Sequence, residues 1–554
     1  MLFGAESLAS LVCNRERPRR RARIIATTVG IILLSLQHPT QAATFDTGTD
    51  LEVTWNNTIR LSAAYQLGKT TLGYSGYCPV AAPGGPDEPH ERQTCGYDTG
   101  FLSGRVDWTS ELDLEYRGYG LLVSSAAWYD AANRGDGYDR SDSSELGGRD
   151  IELFEGFVHG ETAIDSDQTL SFRIGRQDLI WGESRFFAQD GIAGGQAPID
   201  TYRGETAGGY QSKDVFLPVG QASFRWQGPN EISVEGYYQF EWRRSRIDPR
   251  DAYSGTTDIL GAQGNDLITL GRPFYTLDSY VRLPDRQPDD AGQFGLALKW
   301  QHDDFDFGLY GLRFDAKSPE IYLYGSNPGS SDSSTGAYRL EYPQGIELYG
   351  LSASGPLGNA NFGAELSARR NMPLVNGAVF VPGSLAATAD NDNHPRYPVG
   401  DTLQAQLSWN YVLSPSSFLP DGAVWTGEVA ADRLIDTTAN SNQLAPGRTR
   451  TAAAFRTVFE PQFLQILPRI DISTPIGIGY NFLGLSEVDP AMNRGTGDIT
   501  FGVTVTMDQV WKGTLSLTHY FGESKFVSAP FGDGSNGRAL SDWDFIGVTV
   551  ERSF

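Results

Sequence analysis

Strict alternation of apolar and polar side chains over ten or more residues constrains this chain more than any other feature. In "LEVTWNNTIRLSAAY" one parity carries Leu51, Val53, Trp55, Ile59, Leu61, Ala63 and Tyr65, and the other Glu52, Thr54, Asn56, Thr58, Arg60 and Ser62. "GRVDWTSELDLEY" sets Val106, Trp108, Leu112, Leu114 and Tyr116 against Arg105, Asp107, Thr109, Glu111, Asp113 and Glu115. "EISVEGYYQFEW" sets Ile232, Val234, Tyr238, Phe240 and Trp242 against Glu231, Ser233, Glu235, Tyr237, Gln239 and Glu241. Successive side chains of a strand point to opposite faces, so each stretch reads as a strand with one greasy and one wet side. Strands of soluble sandwiches average about five or six residues, whereas strands that cross lipid run about nine to eleven. These are of the longer kind, and Trp55, Trp108, Tyr116 and Trp242 near their ends suit interfacial girdles.

Composition agrees. The 554 residues include 64 Gly, 25 Tyr, 29 Phe and 11 Trp against 4 Met, a balance that suits strands and turns over packed helices. A mean hydropathy of −0.33 excludes a helical membrane protein and is compatible with a barrel, in which only alternate residues meet lipid. After residue 42 no stretch approaches 18 consecutive apolar residues.

The N-terminal segment reads as a secretory signal. Arg15, Arg17, Arg19, Arg20, Arg21 and Arg23 precede an apolar run of 13 residues from Ile24 to Leu36, and "HPTQAATFD" offers cleavage after Ala42. An uncleaved anchor would need a longer apolar run. Residues 1–42 are therefore expected to be a cleaved signal peptide and 43–554 the mature chain. Loss of six Arg and two Glu leaves 38 basic against 66 acidic residues, a balance of −28 that argues against nucleic acid as a partner. Cys13 leaves with the signal, and Cys78 and Cys95 close a Pro/Gly-rich loop. In an oxidising compartment the reading is a disulfide, with zinc the weaker alternative because only His90 lies nearby.

Loop lengths give an independent test. Tight connections such as "YRGYG", "WQGPNE", "QHDDFD" and "SGPLGN" alternate with long Gly/Pro/Asp-rich segments near residues 68–99, 131–149, 179–220, 244–292, 315–341, 370–401, 435–449, 481–496 and 522–541. Outer-membrane barrels have short periplasmic turns and long extracellular loops. The expected fold is all-β, a single transmembrane antiparallel β-barrel of about eighteen strands, with 16 or 14 as alternatives. The closing stretch "DWDFIGVTVERSF" fits a last strand that pairs with the first: Ile546, Val548, Val550 and Phe554 share one face, interrupted by Arg552. This ending resembles the sorting signature read by the barrel-assembly machinery. Periplasmic chaperones and outer-membrane lipids are the further partners expected.

The sequence also resembles a family of proteobacterial outer-membrane proteins grouped as domain of unknown function 1302. The likeness runs in order through "LLVSSAAWYD", "FRIGRQDLIWGES" with "APID", "DFDFGLYGLRFDAKSPEIYLY", "RLEYPQGIELYGLSASGPLGNANFGAELSARRNMPL" and "DWDFIGVTVERSF". The resemblance implies an outer-membrane barrel that handles a small organic, hydrophobic or steroid-like compound, and it transfers no catalytic residues.

Within "FRIGRQDLIWGESRFFAQDG", Arg173 falls on the polar face beside Ser171, and Arg176, Glu183 and Asp190 follow towards the third long loop. Residues 179–220 are expected to fold inward and narrow the lumen, with Arg173 or Arg176 facing Glu183 or Asp190; opposite charges across a pore set a transverse field. The competing reading makes "WGES" a packed corner. The polar positions Arg105, Asp107, Glu111, Asp113 and Glu115 imply a wet interior, because unpaired buried charges are too costly. No G-x-S-x-G, H-E-x-x-H or Cys/His cluster is present, so no enzyme, metal or cofactor is expected. The function expected is passive passage of a small-molecule solute. The alternative is a closed barrel acting through its outer loops as receptor, adhesin or assembly partner.

Overall fold

Eighteen strands in chain order, each hydrogen-bonded to the next and the last to the first, form one closed antiparallel barrel. The computed structural model describes residues 43–46, 50–68, 100–131, 148–201, 215–247, 267–269, 279–325, 335–522 and 543–554; residues 1–42, expected to be a signal peptide, and both Cys78 and Cys95, expected to form a disulfide, lie outside these. The wall strands are β1 (Leu51–Gln66), β2 (Gly100–Tyr116), β3 (Tyr119–Asp130), β4 (Arg149–Asp165), β5 (Gln168–Gln177) and β6 (Val219–Gln227). They continue as β7 (Ile232–Gln239), β8 (Gln293–His302), β9 (Phe305–Phe314), β10 (Ile346–Leu357), β11 (Ala360–Pro373) and β12 (Val399–Leu413). The remainder are β13 (Ala423–Ala439), β14 (Thr451–Leu467), β15 (Ile470–Ser473 and Ile476–Leu483, interrupted at Pro475), β16 (Gly497–Met507), β17 (Trp511–Phe521) and β18 (Phe545–Ser553).

The ring closes where β18 runs along β1, from Thr58 opposite Ser553 to Gln66 opposite Phe545. Arg60 pairs with Glu551 on the inner side of this seam at 2.6 Å. Just past the end of β18, the short strand Ala43–Asp46 takes over the same edge of β1, with Ala43 opposite Trp55 and Asp46 opposite Glu52. Closure leaves no unpaired wall edge, which is what a strand protein needs to sit in hydrocarbon.

Alternation along the strands sorts side chains to two solvents. Val503, Leu515 and Val548 lie side by side in register on the outer face and are exposed, as are Leu296, Leu309 and Leu351. Trp55, Tyr116, Tyr119 and Trp425 crowd the outer face at the short-turn end, where Trp300 stacks on Phe307 at 5.4 Å. Arg552 occupies an outward position, yet it is buried: its guanidinium lies over the rings of Trp511 (5.0 Å) and Phe554 (5.7 Å). A cation covered by aromatic faces is tolerated at the membrane margin, so the one charged position in the terminal pattern is compatible with the barrel.

The four tight connections predicted from sequence are all turns between consecutive strands. In the first, Arg117 and Gly118 both have positive φ (53° and 81°), the two-residue hairpin geometry whose twist matches the strands.

Two expectations need correction. The segments 244–292, 315–341 and 370–401 are not merely loops. They contribute Leu267–Thr269, Ser279–Arg282, Glu320–Tyr324, Thr335–Glu341 and Val379–Val381 to a separate five-stranded sheet. Tyr322, Tyr324, Ala337, Val379 and Val381 are buried there with Tyr397 and Val399. Trp242 does not join the girdle: β7 ends at Gln239, and Trp242 turns into the core of this sheet with Leu340 and Tyr342, 4.8 Å from the Tyr342 ring.

The two-solvent wall makes a sharp prediction. Leu515→Arg is expected to destabilise the barrel by about 2–4 kcal/mol, because it puts a guanidinium into mid-wall lipid, whereas Ser516→Arg on the lumen side costs well under half of that. Reversible urea unfolding in lipid vesicles measures both.

Candidate functional site

The loop after β5 crosses the barrel interior instead of staying at the rim. Trp181 is only 2% exposed and meets the inward rings of Tyr237 on β7 (5.2 Å) and Tyr310 on β9 (5.8 Å). Ile192 is buried with Leu312, Phe314, Ile346 and Leu348, all inward side chains of β9 and β10. One side of the lumen thus has an apolar core between loop and wall.

Beyond that core the loop is held by two wall carboxylates. Glu365 on β11 accepts the backbone N–H of Glu183, of Ser184 (2.6 Å) and of Ile192 (2.9 Å). Glu428 on β13 accepts Ser184 Oγ (2.6 Å) and the N–H groups of Arg185 (2.9 Å), Phe186 (2.5 Å) and Phe187 (3.2 Å). Arg369, two positions along the same inner face from Ser367, donates through Nη2 to the carbonyls of Gln189 (3.0 Å) and Gly191 (2.7 Å). Charge-assisted bonds of this kind contribute about 1.5–3 kcal/mol each. Glycines at two positions make the approach possible. Gly182 has φ +101°, and a Cβ there would fall on the Glu365 carboxylate; a Cβ on Gly191 would lie 2.8 Å from its Oε2.

A second inward loop, 484–496, meets the first. Met492 packs with Phe187 over Ala430, Ala452 and Ala454, and Ser486 Oγ donates to Asp432 at 2.7 Å. Asp190 and Asp489 face each other across this contact, with Asp432 and Arg369 close by. Burial raises the Asp190 carboxyl well above its ordinary 3.8, and the neighbouring Asp489 and Asp432 push the same way against Arg369. Asp489 is likewise raised, first by burial. Two touching buried carboxyls of this kind hold a proton between them.

The opposite side of the interior stays hollow. A cavity of about 520 Å³ is bounded by inward side chains of β1–β4 and β18, with Asp178 from the base of the loop. The charged groups on its wall are Arg60, Asp107, Glu111, Glu155, Asp178 and Glu551. Arg105 and Asp107 are both buried and bound to each other, Nε and Nη2 each 2.8 Å from Oδ1, and Arg105 rests over the Trp128 ring. Asp113 lies 3.7 Å from His159, and Glu115 is exposed near the β2–β3 turn.

The pairing of opposite charges across the lumen is not formed by the residues proposed for it. Arg173 lies over the Phe157 ring (5.5 Å), and Arg176 pairs with Glu241 at the far end of β5. Glu183 and Asp190 are carried to the other wall by the loop, so neither meets them. Sequence reasoning missed Glu365, Arg369 and Glu428. Their signal was charge at inward positions beside outward Leu366 and Val429, as in "GAELSARR" and "GEVAADR". Among the described residues no group of three His, Cys, Asp or Glu side chains could hold a metal ion.

A closed wall, an apolar outer belt and an interior divided between a docked loop and a polar cavity define a transmembrane β-barrel of porin-like build. The chain belongs to the family described as "Protein of unknown function (DUF1302)", which matches residues 23–554. No curated protein matches it. Among solved structures it is similar to Acinetobacter baumannii OccAB3 (11% identity, TM-score 0.43, covering 91% of this chain and 99% of that one). Pseudomonas aeruginosa OccD3 (OpdP) is 10% identical, with TM-score 0.40 and coverage of 94% and 96%. Salmonella typhi OmpF, solved with daunomycin, is 8% identical, with TM-score 0.35 and coverage of 92% and 100%.

Two outcomes test the docking scheme. Glu428→Gln leaves an amide that cannot accept from every N–H between Arg185 and Phe187, so those amides should exchange hydrogen roughly tenfold faster or more in micelles. Because the Asp190 carboxyl is raised in the docked loop, docking is favoured at low pH. It weakens as pH climbs through the raised value, where the unprotonated pair repels. Protection factors of the loop amides, which divide out the intrinsic base-catalysed rate, should therefore fall with rising pH in the wild type and change less in Asp190→Asn.

Proposed function

We propose that the protein resides in the outer membrane of a Gram-negative bacterium and acts as a passive channel for a small organic solute. The observation that carries this reading is the one-sided filling of the lumen: the loop from 179 onwards docks on β7–β13, and a polar cavity remains beside β1–β4. Under this reading residues 179–220 are the constriction, and Glu365, Glu428 and Arg369 fix its position. The hydroxyls and carboxylates around the cavity favour a hydrophilic or amphipathic solute over the steroid-like compound that the family resemblance suggested. A pore needs a wet lining of this type for solute to enter and leave without a deep desolvation cost. Export through a signal peptide, cleaved after residue 42, and assembly by the outer-membrane machinery belong to the same proposal. No catalytic role is proposed.

Planar-bilayer recording of the purified mature protein tests it. The expected result is discrete, ohmic channel openings, with Glu365→Gln/Glu428→Gln giving larger and noisier ones because the loop is released. The five-stranded sheet outside the wall favours a second reading, a closed scaffold that binds partners through its loops. A bilayer that stays silent with correctly folded protein would support that reading and overturn the channel.

A further inference from the structure

The clear half of the lumen is uneven in charge. Five acidic side chains line it (Asp107, Glu111, Glu155, Asp178 and Glu551) against the single guanidinium of Arg60. Arg60 is engaged by Glu551 at 2.6 Å, and Arg105 directs Nε and Nη2 to one oxygen of Asp107. Asp107 is 5% exposed, and its second oxygen, Oδ2, has no hydrogen-bond partner among the described residues. Glu155 and Asp178 lie in hydrogen-bond contact with each other and so share one proton, which leaves the pair one negative charge beside that of Glu111. None of Glu111, Glu155 and Asp178 makes an ion pair with a basic side chain among the described residues. The Glu111, Glu155 and Asp178 side chains therefore face one cavity bounded by a wall of low dielectric constant, and the Asp107 carboxylate lies buried in its wall. Such a cleft focuses field and enriches counter-ions by roughly tenfold or more.

We infer that this passage selects cations, with Glu111, Glu155 and Asp178 setting the preference, and that its organic solutes are small amines or guanidinium compounds. The chemistry matches: an ammonium offers several N–H donors and no acceptor, and the cavity offers carboxylates flanked by the hydroxyls of Thr58, Thr109 and Ser124. An anionic solute would find one guanidinium, already bound to a carboxylate. The backbone N–H donors that the docked loop presents to β11 and β13 are already taken by Glu365 and Glu428, on the other side of the lumen from this cavity. The inference rests on the channel reading and adds to it a sign of charge and a solute class.

The experiment is a reversal-potential measurement on the mature wild-type protein in a planar bilayer under a tenfold gradient of potassium chloride. It is paired with liposome swelling in arginine against glutamate. The expected cation-over-anion permeability ratio is roughly tenfold, with faster swelling in arginine. Glu111→Lys should move the reversal potential towards the anion side, and the milder Glu111→Gln should move it part of the way; heat-modified gel mobility verifies that each is folded. If the wild type opens pores with no preference, or prefers chloride and glutamate, this inference fails while the channel reading stands. If folded protein never conducts, the channel reading fails and takes this one with it.

Discussion

Pairing between the first and last strands is the constraint on which the rest of the structure depends. Hydrocarbon offers no partner for a backbone N–H or C=O, so a sheet that enters it must leave no edge. Here the edge of β1 is satisfied by β18 across nine residues, from Thr58 to Gln66. Once the ring is closed, the period-two pattern of every strand has a fixed meaning: one parity meets lipid and the other meets the interior. A slip of one residue anywhere would put Glu and Arg into the acyl chains, so register and closure enforce each other.

Closure creates a second problem inside, because a ring of eighteen strands is wider than its own side chains can fill. The chain answers this asymmetrically. One loop brings an apolar face to Tyr237, Tyr310 and Leu348 and a run of unpaired backbone N–H groups to Glu365 and Glu428. The wall carboxylates serve as acceptors that the loop backbone lacks, and the buried N–H groups of 183–187 would otherwise be costly. With the filler committed to one side, the hollow on the other side keeps its polar lining.

How much of this was legible follows from the range of each signal. Barrel class and strand number could be read because the pattern is local and repeats: Val106, Trp108 and Leu112 declare a lipid face with no knowledge of their neighbours. Closure was legible in the last strand for the same reason, Ile546, Val548 and Val550 sharing a face. The five-stranded loop sheet was not, since Val379–Val381 and Ser279–Arg282 are too short for alternation to emerge from the surrounding Gly, Pro and Asp. The docking residues were invisible for another reason. Glu365 and Glu428 bind main-chain donors 181 and 243 residues away, and a backbone N–H carries no sequence signature. The charge pairing expected for Arg173 and Arg176 failed because strand parity and loop path, which decide what an arginine meets, are properties of the fold.

The short strand Ala43–Asp46 continues the edge pairing of β1. It lies on the track that β18 vacates, with Ala43 opposite Trp55 only two positions beyond Asn57, whose backbone exchanges hydrogen bonds with Phe554. Ala43–Asp46 and Phe554 therefore share a single berth along β1, nearly touching end to end. A β18 longer in the direction of Phe554 would meet the Ala43–Asp46 strand on that edge, so the two segments compete for the same backbone partners of β1.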